Sequence, residues 1–341
     1  MRAAIIRQHG GLDAIAVEEV PTPERRPGET LVRVKAVALN HMDLWARKGL
    51  PGFKFPLPLI PGCDIAGVVE ESGEGGFEPG TDVFLSPGVT CGVCFDCASG
   101  NDHLCSHYGI LGETQDGGCA ELIAVPHRNV HRKPSRLGYP AAAAFPLTFQ
   151  TAWHMLVTRS RIGPGQTVLI HAAGSGVSSA AIQIAKLYGA RVFATAGTPE
   201  KCARAEAMGV EKAIDYQQEP EWSRRFFELT GKRGVDIVFD HVGKAVFEGS
   251  IRLLRAGGTF VTCGATSGSD VTLPLRRLFF KNLSVLGSTM GTRAELLQIA
   301  DHIQAGRLEP IVDRVFPLDD IVGAHAALES REAFGKIVVT L

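Results

Sequence analysis

His171-Ala-Ala-Gly174-Ser175-Gly176-Val177-Ser178-Ser179 joins a short apolar run, 167–173, to a segment, 177–188, whose apolar residues recur at helical spacing (Ile182 with Ala185, Ile184 with Tyr188). Glycines at a strand-to-helix turn let the backbone approach a pyrophosphate, and the helix beyond presents free N–H groups at its positive end. Gly174, Ser175, Gly176 and Val177 therefore form the candidate phosphate cradle. The G-x-G-x-x-G spacing is incomplete, because Ser179 stands where the third glycine belongs. A glycine turn before a helix is also often only a turn, so the surroundings have to decide.

They favour a dinucleotide. The pattern predicts a strand at 191–196, helix 200–208, strand 212–215, helix 221–229, strand 235–240, helix 245–254, and strands 258–263 and 283–288. Strands alternating with helices at this spacing mean a parallel sheet covered on both faces. The first ~130 residues have a different texture: alternation such as Leu31-Val-Arg-Val-Lys-Ala-Val37 between Pro-Gly punctuation reads as β-rich. From about Thr289 a helix, a short strand, another helix and a last strand, 336–341, are expected.

The end of the second strand of the alternating region selects the dinucleotide. An acid there would hold the ribose hydroxyls and repel a 2′-phosphate. The strand instead ends Thr195-Ala196-Gly197-Thr198-Pro199, with Glu200 later, beside Lys201 and before Arg204. This favours NADP(H) over NAD(H); the competing reading makes Lys201 and Arg204 ordinary members of a solvated helix face.

Four of the eight cysteines crowd into Cys91-x2-Cys94-x2-Cys97-x7-Cys105, while Cys63, Cys119, Cys202 and Cys263 are scattered. A cluster with scattered singles points to metal rather than to bridges. Four thiolates close a tetrahedral zinc shell and leave no position for water or substrate, so the expected site is one structural zinc. An iron–sulfur cluster is the alternative, but nothing else suggests electron transfer. Lys plus Arg (35) nearly balance Asp plus Glu (36), which removes the basic field that nucleic acid or an anionic membrane would need. Apolar stretches such as 141–149 fall short of a membrane span, and Met1-Arg-Ala-Ala-Ile-Ile-Arg7 is interrupted by charge as no signal peptide is. A cytoplasmic address is expected.

A four-cysteine lobe first and a nucleotide-binding unit second is an order that resembles the medium-chain alcohol dehydrogenase and quinone reductase superfamily. Further matches are Pro61-Gly-Cys-Asp64 before Ile65-Ala-Gly-Val-Val69, Gly112-Glu113 followed by Gly117-Gly-Cys-Ala-Glu121, Asp240-His-Val-Gly243 and Phe334-Gly-Lys-Ile-Val-Val339. The resemblance implies an α/β architecture, with a GroES-like β-rich catalytic domain over 1–148 completed by 289–341, and a Rossmann doubly wound parallel-sheet domain over 149–288. It implies a small-molecule substrate and a homodimer or homotetramer paired through the last Rossmann strand.

Zinc alcohol dehydrogenases of this superfamily carry a catalytic metal on three ligands, and the chain departs at each. Asn40 stands in Asn40-His41-Met42-Asp43 where a cysteine belongs, Cys63 takes the histidine position beside Asp64, and Leu147 takes the third. Asn40 is what the zinc-free quinone and enone reductase branch carries. That branch recognises the 2′-phosphate with a Gly-x-x-x-Lys pair and a later tyrosine, here Gly197, Lys201 and Tyr216. Zinc stabilises the alkoxide of a reduced ketone, whereas a quinone or activated C=C delocalises its charge and manages with hydrogen-bond donors.

By resemblance, Asn40 and Thr151 flank the nicotinamide and Trp45 walls the substrate pocket. A turn-capping amide is the alternative for Asn40, and Trp45 reads equally as a core aromatic. His41, Asp43, Cys63 or Asp64 could return the proton that follows hydride transfer, as could solvent. Val242, Gly243, Gly264 and Ala265 end successive Rossmann strands on the cofactor side, and Ser288 and Thr289 approach the carboxamide. The implied activity is NADPH-dependent reduction of quinones, enones, alkenals or enoyl thioesters. An alcohol dehydrogenase with a degenerate metal site at Cys63, Asp64 and His41 is one alternative; a non-catalytic NADPH-binding structural protein is another.

Overall fold

Val235–Asp240 is buried at every position, and Arg191–Ala196 at every position but the first. Strands covered on both faces need no polar alternation, which is how parallel sheets differ from half-exposed ones. The structure, a computed structural model, describes residues 1–341. Its first sheet runs Lys212–Asp215, Arg191–Ala196, Thr167–Ile170, Val235–Asp240, Leu254–Thr262, Ser284–Gly287, with every neighbouring pair parallel. The strand order reverses between Thr167–Ile170 and Val235–Asp240, and ligands of such sheets dock outside the carboxyl ends at that reversal.

Helices Gly176–Leu187, Pro199–Ala207, Trp222–Leu229 and Lys244–Leu253 follow successive strands. Leu169, Phe193, Val238 and Phe260 of the sheet pack with Trp222, Phe226, Phe247 and Ile251 of the helices. Each such side chain, once buried, contributes roughly 1.5–3 kcal/mol.

Three details differ from the sequence expectation. The strand expected over 167–173 stops at Ile170, because Ala172 takes a left-handed φ of 51° that breaks the extended chain. The strand expected over 258–263 begins earlier, at Leu254. Helix Leu275–Phe280 was not expected: Leu275, Phe279 and Phe280 point outward, so no buried stripe announces it.

The chain divides into two compact units, Met1–Leu147 with Thr292–Leu341, and Thr148–Gly291. In the first unit, strand Glu29–Ala38 pairs antiparallel with three others, Asp64–Ser72, Leu122–Pro126 and Lys336–Thr340. Residues near both chain ends thereby share one sheet. Its inner face gathers Val32, Val34, Val37, Ile65, Val69, Ile337 and Val339. The small pair Gly88–Val89 and Gly109–Ile110 brackets the cysteine lobe. No helix is long and apolar enough to cross a membrane.

Candidate active site, cofactor loop and metal lobe

The glycine turn sits at the strand-order reversal. Ser175 caps helix Gly176–Leu187, its side chain accepting from the Ser178 N–H at 3.1 Å. A helix of 12 residues thus begins directly at the Gly174–Val177 cradle, with its unpaired N–H groups available to an anion. Behind the turn lies a directed set of hydrogen bonds. Ser250 Oγ donates to Val246 O (2.7 Å), so the 2.8 Å contact to His171 Nε2 takes its proton from the imidazole. His171 Nδ1 then accepts from Thr195 Oγ1 at 3.0 Å. Burial, with His241 adding to it, pushes this imidazole down to about 3, and the neutral ring suits the arrangement.

Gly197 and Tyr216 meet at the tips of adjacent strands. A side chain at 197 would place its Cβ 2.8 Å from the Tyr216 hydroxyl, so glycine is what permits the approach. Thr198 caps the next helix by accepting from the Lys201 N–H at 3.3 Å. The neighbouring acid, Asp215, accepts from the Gln217 N–H through Oδ1 at 2.9 Å.

At the end of strand Val235–Asp240, Asp240 accepts from the Val242 N–H (2.9 Å), the Gly243 N–H (3.1 Å) and Thr262 Oγ1 (3.2 Å). Burial nevertheless raises its carboxyl to about 6. Gly243 has φ 88°, and a Cβ there would lie 2.7 Å from Gly268 O and 2.9 Å from Ala265 Cα, while one on Gly264 would lie 3.0 Å from His241 O. Val242, Gly243, Gly264 and Ala265 are therefore packed loop against loop. Ser288 donates its N–H to Thr262 O (2.9 Å) and its hydroxyl to Thr289 O (3.0 Å). The Thr151 hydroxyl is buried and has no partner within the protein.

In the other unit the candidate catalytic residues form a buried polar knot. Asp64 Oδ1 accepts from the Leu147 N–H at 2.7 Å; its Oδ2 accepts from Asn40 Nδ2 at 2.9 Å and from Lys336 Nζ at 3.0 Å. Lys336 Nζ also donates to Asn40 Oδ1 at 2.5 Å, and Asn40 Nδ2 lies 3.3 Å from both Cys63 Sγ and Ala38 O. Asp64 is 0% and Lys336 5% exposed. Asp43, at the start of helix His41–Lys48, accepts from the Asn40 N–H (2.7 Å) and the Gly62 N–H (2.8 Å), and burial raises its carboxyl to about 6. Trp45 stacks edge-on to His41 at 5.3 Å.

These contacts change the expected part of Asn40. Its amide is committed inside the knot on both its oxygen and its nitrogen, so it organises the Asp64–Lys336 pair rather than offering a free donor. Lys336 was missed as a site residue. The signal for it is a lysine opening the otherwise apolar strand Lys336–Thr340, a place where an ammonium needs a buried acid.

A metal does not fit this donor set. Both Asp64 oxygens already accept hydrogen bonds, and Oδ2 faces the Lys336 ammonium at 3.0 Å. Burial, with Asp64 and Asp43 adding to it, raises the Cys63 thiol well above its usual range. His41 joins no metal-ligating group with Cys63 and Asp64.

The cysteine lobe is the opposite case. The ligand atoms of Cys91, Cys94, Cys97 and Cys105 all lie within 4.8 Å of one another, with Cys91 Sγ 3.9 Å from Cys97 Sγ and 3.6 Å from Cys105 Sγ. A tetrahedron with ~2.3 Å zinc–sulfur arms has edges of about 3.8 Å. The N–H groups of Val93 and Cys94 draw Cys91 down to about 6, whereas, against the Cys97 N–H, burial and the neighbouring thiols push Cys94 up to about 11. Zinc in this lobe would be closed off by four thiolates and purely structural.

Comparison with known proteins gives the same two-part picture. Family models described as an alcohol dehydrogenase GroES-like domain and a zinc-binding dehydrogenase match residues 26–135 and 176–305. The crystal structure of an NAD-dependent alcohol dehydrogenase is 46% identical over 100% of both chains, with a TM-score of 0.96. Crotonyl-CoA reductase of Streptomyces collinus is 32% identical over 96% of this chain and 81% of its own. Quinone oxidoreductase of Homo sapiens is 27% identical over 100% of this chain and 98% of its own. With the two matched domains, the parallel sheet and the four-thiol lobe in place, the chain belongs to the medium-chain dehydrogenase/reductase superfamily and is an NAD(P)H-dependent oxidoreductase.

Proposed function

We propose that the protein reduces quinones or activated C=C bonds (enones, alkenals, enoyl thioesters) with NADPH and without a catalytic zinc. The observation that carries this reading is the Asn40–Asp64–Lys336 knot, whose hydrogen bonds use up the groups a catalytic metal would need. Without a Lewis acid, the acceptors that suit the site are those that spread negative charge through their own π-system. Relatives named quinone oxidoreductase and crotonyl-CoA reductase are consistent with such acceptors.

NADPH supplies the hydride. Gly174, Ser175, Gly176 and Val177 hold the pyrophosphate; Gly197, Lys201 and Tyr216 hold the 2′-phosphate, at a strand whose last residues, Thr195-Ala196-Gly197, include no acid. Val242, Gly243, Gly264 and Ala265 line the dinucleotide, and Ser288 and Thr289 take the carboxamide end. Thr151 brings the unpaired hydroxyl described above, a donor that bound ligand would satisfy. On the substrate side Trp45 forms a wall, while Asn40, Asp43, Cys63 and Asp64 fix the knot beneath. The proton that completes reduction of an enone comes from solvent or from a protonated group of this set.

Two further readings go with the main one. One zinc per chain resides in the cysteine lobe. The chain pairs into a homodimer or homotetramer through its edge strand Ser284–Gly287, where Val285 is 40% exposed. The rival reading is an NAD-dependent alcohol dehydrogenase, favoured by the 46% identical structure so named.

Elemental analysis, run beside NADPH and NADH oxidation with a simple quinone and a simple enone, decides between them. The proposal expects about one zinc per chain and faster use of NADPH. Two zincs, or alcohol-dependent reduction of NAD, would overturn it in favour of the alcohol dehydrogenase. Binding of NADPH with no turnover of any quinone or enone would overturn it in favour of a structural protein. Lys201→Ala should raise KM for NADPH about tenfold, the share of one charge-assisted contact, and leave NADH nearly unchanged. An equal effect on both cofactors would remove Lys201 from 2′-phosphate recognition.

A further inference from the structure

His241, the residue after strand Val235–Asp240, places its Nε2 3.0 Å from Ser175 Oγ and 3.0 Å from Ser178 Oγ. The direction of each proton follows from what surrounds these atoms. Ser178 Oγ lies 2.6 Å from His171 O, and a carbonyl only accepts, so the Ser178 hydroxyl proton is spent there. Ser178 Oγ can then only accept from His241, which requires a proton on Nε2. That N–H is shared between the two serine oxygens. Ser175 Oγ thus accepts from the imidazole and from the Ser178 N–H at 3.1 Å, and its own hydroxyl proton has no acceptor among these neighbours.

From this geometry we infer that His241 is a positioning residue: by donating through Nε2 it turns the Ser175 hydroxyl outward as a hydrogen-bond donor to the cofactor pyrophosphate. The inference rests on the dinucleotide reading of the Gly174–Val177 loop given above. His241 and the loop flank the strand-order reversal from opposite sides, so the imidazole also ties the two loops that border the cofactor crevice. Ser175 is only partly buried, as a group that meets a ligand must be, while Ser178 is fully buried and serves as the anchor.

The test is a double-mutant cycle on the full chain, read as NADPH affinity by fluorescence titration together with KM and kcat. His241→Ala should weaken NADPH about tenfold, the loss of one oriented donor to a charged acceptor, with KM rising and kcat nearly unchanged. Ser175→Ala should cost a similar factor, and the double variant little more than either alone, because both remove one contact. His241→Gln, which keeps an N–H near the Nε2 position, should recover most of the affinity. Wild-type affinity in His241→Ala, or losses that multiply in the double variant, would overturn the role. A wild-type chain that binds neither NADPH nor NADH would instead sink the cofactor reading itself. Thermal unfolding of each variant without cofactor separates the alternatives. A His241 that merely props up the fold would lower Tm as much as it lowers affinity, and glutamine would not rescue binding.

Discussion

Two buried polar clusters of similar size differ in one respect. The set behind the glycine turn (His171, Thr195, Ser178, Ser250) is neutral, and each of its protons has a fixed direction. The knot in the other unit (Asn40, Asp64, Lys336) holds an ion pair. Neutral groups are inexpensive to bury once every donor meets an acceptor, and in return they fix orientation. A buried ion pair adds little net stability, but it is intolerant of losing one member. The lesson is that orientation is delegated to the first cluster, whereas the second is held by charge, which, on the function proposed above, leaves no group free for a catalytic metal.

The largest effect expected from this contrast is on the charged side. Lys336→Met strands the Asp64 carboxylate and should cost about 3–5 kcal/mol in urea unfolding, and adding Asp64→Asn should restore much of the loss. A loss under ~1 kcal/mol would show that water reaches the knot and that it is not the closed pair described. On the neutral side, Ser250→Ala orphans the His171 Nε2–H and should cost less, about 1–3 kcal/mol.

A further effect is a slope with pH. The folded state holds His171 below its usual range, so the unfolded chain binds the extra proton first. Its contribution is therefore full above pH ~6.5 and falls by about 1.4 kcal/mol per pH unit as acid is added, down to about 3. Asp43 and Asp240, raised to about 6, act in the other direction, losing stability as pH rises from ~4 to 6. In His171→Asn the two aspartates alone should set the slope, so the urea midpoint at pH 7 should fall relative to that at pH 5, compared with wild type. An unchanged gap would mean that His171 is not the titrating group.

What could be read from the sequence was whatever the chain encodes locally. The cysteine spacing, the glycine turn and the bounds of Arg191–Ala196, Lys212–Asp215 and Val235–Asp240 depend on nearest neighbours and periodicity, and the structure has them. Lys336 was out of reach for the opposite reason: its partner Asp64 is 272 positions away, and no local pattern records that meeting. Helix Leu275–Phe280 escaped because its apolar residues face outward. His241 looked like part of a motif, and its role emerged only once the turn at Ser175 and the end of Val235–Asp240 were seen side by side.

Strand Lys336–Thr340, which lies against Glu29–Ala38, has a consequence for how the protein is made. At ~5–20 residues per second, roughly 14–54 s of synthesis separate the emergence of Asp64 from that of Lys336. All of Thr148–Gly291 is translated within that interval and can finish its own sheet on the ribosome. The first unit meanwhile waits with an unanswered carboxylate and an open sheet edge, the stage at which a chaperone would have most to protect.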